Sequence, residues 1–127
     1  MQTGIDNKGK IKAIALGVYD AINNKDSNAL RKLFAPDIIR HATGEIGVEA
    51  AINMMEKMFS ASPNTQFNVE DILVDGNKAA LRVTILGRDV FKDKPLPSIL
   101  EIFKIENDQV TEIWGAGVSP EKFPQKV

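Results

Sequence analysis

One change of hydrophobic period divides the chain and limits the folds open to it. Before residue 64 the apolar residues recur at helical spacing, and after it they alternate, as strand residues do. Ile11, Ile14, Ala15, Val18 and Ile22 form one stripe, which predicts an amphipathic helix over residues 8–24. Ser27 is the expected N-cap of a short second helix whose Leu30, Leu33 and Phe34 face inward. FAPD, residues 34–37, reads as a helix stop and turn, because Pro36 disfavours helical geometry in the residue before it. A short strand is expected over residues 38–41, then a loop bracketed by Gly44 and Gly47. A third helix over residues 48–59 carries Val48, Ile52, Met55 and Phe59 on one side and ends before Pro63.

Beyond the switch, residues 67–74, 79–86, 99–105 and 110–114 read as strands. Asp75-Gly76 and Asn107-Asp108 supply turn chemistry, so the strands flanking each pair form antiparallel hairpins. The alternation slips at Glu70 and Asp71, where a bulge is expected. Helices followed by strands imply an α+β domain, with three helices packed on one face of a curved, mainly antiparallel sheet. No repeat or linker divides the 127 residues, so one domain spans 1–127. Residues 87–97, GRDVFKDKPLP, make the one long connection and are placed as a flap over one end of the sheet. Leu81, Val83 and Ile85 share one sheet face, and Ala80, Arg82, Thr84 and Leu86 the other. Both faces are substantially apolar, yet the helices cover only one. A homodimer through the outer face is therefore expected.

Charge and composition remove several functions. Lysine and arginine number 16 against 17 acids, a net charge of -1 without a basic block, so neither nucleic acid nor a membrane surface is an expected partner. With no cysteine, thiolate chemistry and cysteine metal sites are excluded. A single histidine with no clustered acids gives no metal signature, and no cofactor is expected. The first residues, MQTGIDNKGKIK, lack the apolar core of a secretory signal, which makes the cytoplasm the default location.

VYDAINNKDSNALRKLFAPDIIRHATGEIGVEA, ILVDGNKAALRVTILG and LEIFKIENDQVTEIW resemble, in order and spacing, the SnoaL-like proteins of the nuclear transport factor 2-like superfamily. The likeness extends over residues 10–116 and implies a cone of three helices and a strongly curved sheet enclosing an apolar pocket. Relatives on this fold include polyketide cyclases, ketosteroid isomerases, epoxide hydrolases, dehydratases and non-catalytic modules, so the resemblance implies no single activity. Glu101 falls where ketosteroid isomerases place the acid of their oxyanion hole. Their tyrosine aligns with Val18, one position before Tyr19, and their general base falls near Ala42. The arginine–acid pair of limonene-type epoxide hydrolases corresponds to Arg82 and Thr84, and their second acid to Ala116. Each of these sets is incomplete in this chain.

Glu101 alternates in phase with Ile99, Phe103 and Ile105, which directs a carboxylate to an apolar face. There it serves as general acid or base, or it pairs with Arg82 as a structural ion pair. His41 is the expected proton shuttle at a strand end, and Arg82 the group that steadies an oxyanion or Glu101. Tyr19, Met55, Phe59, Thr84, Phe103 and Trp114 are the expected ligand contacts. Two functions remain open. One is a pocket for a small hydrophobic carbonyl compound with cofactor-independent isomerase or cyclase activity. The other is a non-catalytic dimeric module that binds a ligand or protein.

Overall fold

The structure, a computed structural model, describes residues 4–88 and 93–125. Helix α1 spans Gly4–Asn23, α2 Ser27–Leu33 and α3 Val48–Ala61. The strands are β1 Phe34–Arg40, β2 Glu45–Ile46, β3 Gln66–Asp75, β4 Lys78–Leu86, β5 Ser98–Glu106 and β6 Gln109–Val118. They form one sheet in the order β2-β1-β6-β5-β4-β3. Every neighbouring pair is antiparallel except β1 and β6, which run parallel. The α+β domain expected from the period switch is the fold observed, in the cone form that the resemblance implies. None of the helices is long and apolar enough to cross a membrane.

The departures from expectation are local. Asp26, one residue before Ser27, caps α2: its side chain accepts from the Ala29 amide at 3.0 Å. FAPD is the start of β1 rather than a turn. Pro36 still forbids helix at Ala35, and extended backbone meets that restriction as well as a turn does. The β1–β6 register shifts between Phe34 and Ile39, around the proline that has no N–H to offer. Gly44 and Gly47 enclose the two-residue strand β2, which pairs with the end of β1. The bulge lies where the alternation slips, with the β3–β4 register shifting between Val69 and Asp71. Asn107 and Asp108 both take positive φ, as the tight β5–β6 turn requires. The connection expected as a flap, residues 87–97, lies partly outside the described residues.

The helices cover one face. Val18, Leu30, Ile38, Ile52, Val83, Phe103 and Val110 are each less than 2% exposed between helices and sheet. Asn23, at the end of α1, fastens the edge strand. Its amide donates to the Phe67 carbonyl at 2.7 Å and accepts from the Phe67 N–H at 2.8 Å. Among the described residues nothing gives the other face such cover. Leu73, Ala80, Ile102 and Trp114 are consecutive cross-strand neighbours there, with Leu73 72% and Ile102 44% exposed.

Candidate active site

Glu101 on β5 sits between Leu81 of β4 and Gly115 of β6. Cross-strand partners share a face, so its side chain enters the cone with that of Leu81. Gly115 gives it room. A Cβ at that position would lie 2.9 Å from Glu101 Cγ and 3.1 Å from the Leu100 carbonyl oxygen. From α1, the Tyr19 hydroxyl donates a hydrogen bond to Glu101 Oε1. The Tyr19 ring is buried, stacked on Phe103 with centroids 6.3 Å apart and tilted against Phe67 at 5.8 Å. A helix residue and a mid-strand residue thus meet across the core.

Burial of the carboxyl raises the pKa of Glu101, while the Tyr19 hydrogen bond and the charge of Arg40 draw it back down. The Tyr19 hydroxyl is pushed well above its ordinary range, first by burial and then by the adjacent Glu101. The tyrosine therefore keeps its proton, and the carboxyl is the member of the pair that titrates.

The pair opens onto a cavity of about 450 Å³. Its wall is mainly apolar, with Met54, Met55, Met58, Phe67, Phe103 and Ile113 contributing. Polar side chains reach it from Tyr19, Glu101, Arg40, Thr43 and Arg88. The volume is within the roughly 300–1,000 Å³ typical of small-molecule sites. Among the described residues no cluster of three or more His, Asp or Glu could hold a metal ion.

Four of the residues expected at this site stand on the outer face instead. Arg82 pairs across the sheet with Leu100, one step out of phase with Glu101, and its Nε lies 2.6 Å from Asp71 Oδ2. The Glu101–Arg82 ion pair is thereby ruled out: strand alternation separates the two groups by the thickness of the sheet. Thr84 has the same parity as Arg82 and donates to Glu70 at 2.5 Å. His41 is exposed, with Nε2 3.0 Å from Glu112 Oε1 and its ring stacked on Trp114 at 4.8 Å between centroids. Lys78 lies over the other partner of that stack, 5.8 Å from the Trp114 ring centre. Phe59 is buried in the core beneath the Lys25 ammonium and is not among the cavity-lining residues. Tyr19, Met55, Phe103 and Glu101 do line the cavity together.

Arg40 was not singled out from sequence. It is the residue next to His41, opposite Ile113 in the parallel β1–β6 pair, and its side chain is 15% exposed. The signal was present in the parity of β1: Ile38 is fully buried, and a residue two positions on shares its face. Val18 and Tyr19 both line the cavity, so the helix presents its hydroxyl one position later than the resemblance placed it.

The sequence profile of the SnoaL-like domain matches residues 15–113. No curated protein sequence matches the chain. Among solved structures, IdmH, a candidate polyketide cyclase from Streptomyces antibioticus, superposes with a TM-score of 0.75 at 22% identity, over 84% of this chain and 91% of its own. A candidate ketosteroid isomerase from Kribbella flavida gives 0.75 at 18% identity, over 94% of this chain and 86% of its own. A candidate polyketide cyclase from Sinorhizobium meliloti gives 0.70 at 24% identity, over 82% of this chain and 94% of its own. At these identities the likeness establishes the shared fold.

Proposed function

The chain belongs to the SnoaL-like domain family, and from that footing we propose that it binds a small hydrophobic carbonyl compound in the cone and moves a proton on it without a cofactor. The observation that carries this is the Tyr19–Glu101 pair set in an apolar cavity. Tyr19 holds Oε1 and thereby fixes the carboxyl, while Oε2 remains to exchange a proton. In its ionised form Glu101 takes a proton from the carbon beside the ligand carbonyl, and the electron pair enters the enolate. The same carboxyl then returns the proton at a different carbon, which shifts the double bond. In a ring closure the enolate carbon instead attacks a second carbonyl of the ligand, and the carboxyl gives its proton to the alkoxide that forms. A carboxyl whose pKa is raised towards neutrality is suited to both halves of this exchange. Glu101 is the catalytic residue; Tyr19 is a positioning residue. Replacing Glu101→Gln keeps the shape and an acceptor for Tyr19 but removes the base, and the rate on a turned-over ketone should fall by about 100-fold or more. An unchanged rate excludes Glu101 from the chemistry.

The second function, a dimeric binding module, has its own support in the outer face. Leu73, Leu100 and Ile102 are 72%, 54% and 44% exposed on one side of the sheet. A second copy of the chain on that face would bury them, each leucine-sized side chain being worth about 1.5–3 kcal/mol. Such a dimer is compatible with catalysis in the cone, because the two faces of the sheet are separate.

A further inference from the structure

We propose that the ligand of this cavity is an apolar acid, anchored by its anionic head on Arg40 with its body against the methionine wall. The proposal deepens the pocket function above and rests on it. Three observations lead to it.

The first is the state of the Arg40 guanidinium. Its Nη1 donates to the sulfur of Met54 at 3.4 Å, and a thioether is a weak acceptor for a cation. Its Nη2 lies 3.0 Å from Glu45 Oε2. Yet neither Nε nor Nη2 makes a hydrogen bond of acceptable geometry, although both are shielded from water. A buried guanidinium has five N–H donors, and leaving them unmade is costly. An oxyanion entering the cavity would replace the Met54 sulfur on Nη1 with a proper acceptor. Met54 is 39% exposed and unbranched, so it can move aside.

The second is the sign of the wall. The whole chain carries a net charge of -1. Its cavity wall nevertheless carries two guanidiniums, Arg40 and Arg88, against the single carboxyl of Glu101, and the Glu45 carboxylate that pairs with Arg40 is not itself part of the wall. Arg88 is fixed by its Nε, which donates to Thr65 Oγ1 at 3.2 Å. Positive charge concentrated in an apolar enclosure favours an anion far more than the same charge on an exposed surface would.

The third is the relation of Arg40 to the reacting group. The two line one cavity, and the Arg40 charge is felt at Glu101. A ligand held by its head at Arg40 therefore presents its body, and any enolisable carbon in it, to Glu101. Arginine suits this because its charge is permanent, and Nη1, whose present acceptor is only a thioether, supplies the donor.

A matched pair of fluorescent probes tests the proposal: anilinonaphthalene sulfonate, an apolar anion, and phenylnaphthylamine, the same ring system without the sulfonate. Both are titrated against the native protein, Arg40→Met and Arg40→Lys. Arg40→Met should weaken sulfonate binding by about tenfold or more, the size of a charge-assisted hydrogen bond, and leave the neutral probe within about twofold. Arg40→Lys should retain most of the sulfonate affinity. Equal losses for both probes, or none for either, would make Arg40 a structural residue and overturn the proposal. If neither probe binds the native protein, the pocket function itself fails along with it. Should Arg40→Met not fold, as thermal melting would reveal, the native protein decides. Added salt should weaken the sulfonate and spare the neutral probe, and a sulfonate affinity indifferent to salt refutes an ionic anchor.

Discussion

Replacing Gly115 by alanine puts the cavity geometry to its severest test, because two effects of opposite sign compete. Glycine in a strand interior loses more backbone freedom on folding than alanine, so by itself Gly115→Ala would stabilise the protein by about 0.5–1 kcal/mol. Gly115 takes no positive φ, so alanine meets no backbone penalty there. The steric effect works against this gain. The new Cβ would sit 2.9 Å from Glu101 Cγ, 3.1 Å from the Leu100 carbonyl and 3.5 Å from Glu101 Oε2. The backbone carbonyl gives little, so Glu101 must shift and its bond to Tyr19 weakens. Overpacking of this kind costs about 1–3 kcal/mol. Set against the backbone gain, the net loss is about 0–2.5 kcal/mol, which an unfolding entropy of about 2.1 cal/mol/K per residue over the 127 residues converts to a fall in Tm of up to about 9 °C. Calorimetric melting reads it directly. Glu101→Ala in the same chain removes Cγ and with it the closest clash, so the double variant should lose less stability than the two single losses added together. A Gly115→Ala protein that melts above the native temperature, or a strictly additive cycle, would show that Glu101 does not occupy the place described.

Other consequences can be checked alongside. Glu101→Gln should change the pH dependence of stability. Because the folded pKa of Glu101 lies above its ordinary value of 4.5, the native state holds more protons than the unfolded chain in the window just above 4.5. Native stability therefore falls as pH rises through that window, and the variant, which has no such group, should gain on the native protein there and hold the gain at higher pH. Superimposable profiles from melting across the window would place the carboxyl in water. Arg82→Ala should lose no more than about 1 kcal/mol, since its ion pair with Asp71 is solvated, and should leave probe binding in the cavity unchanged; a large loss of binding would return Arg82 to the site. Ile102→Asp places a charge in the centre of the exposed apolar row; if that face is the interface, sedimentation should find the native protein as a dimer and the variant as a monomer. A native monomer, or a variant that still dimerises, removes the outer face as the interface.

Much of the scaffold could be read from periodicity because it depends on nearest neighbours in sequence. The stripe ending at Ile22, the turn at Asn107-Asp108 and the slip at Glu70 are local signals, and each corresponds to a feature of the fold. The direction of Glu101 followed from the same logic. What escaped was set by pairing between distant strands. Whether Arg82 or Leu81 lies beside Glu101 depends on the β4–β5 register, and a one-residue difference moves a side chain to the other face. The placement of His41 failed for a related reason. The alternation of β1 puts Arg40 on the buried face of Ile38 and His41 on the other, beside Glu112 and Trp114. A strand so short left that phase unread, and its parallel pairing with β6 is not a local signal. The turn assigned to FAPD shows a different limit: proline forbids a helix without choosing between a turn and an extended segment.

The parallel ladder between β1 and β6 also governs when a binding site can exist at all. Arg40 is made well before Ile113, which flanks it. Until the final strand docks, the first one has only the two-residue β2 for company, and the arginine stands at an unfinished rim. Closing so large a loop comes late and slowly in folding. A chain cut short before Gln109 would lack β6, the strand that joins β1 to β5, and with it the enclosed chamber. The chamber is thus confined to molecules in which β6 has docked beside β1.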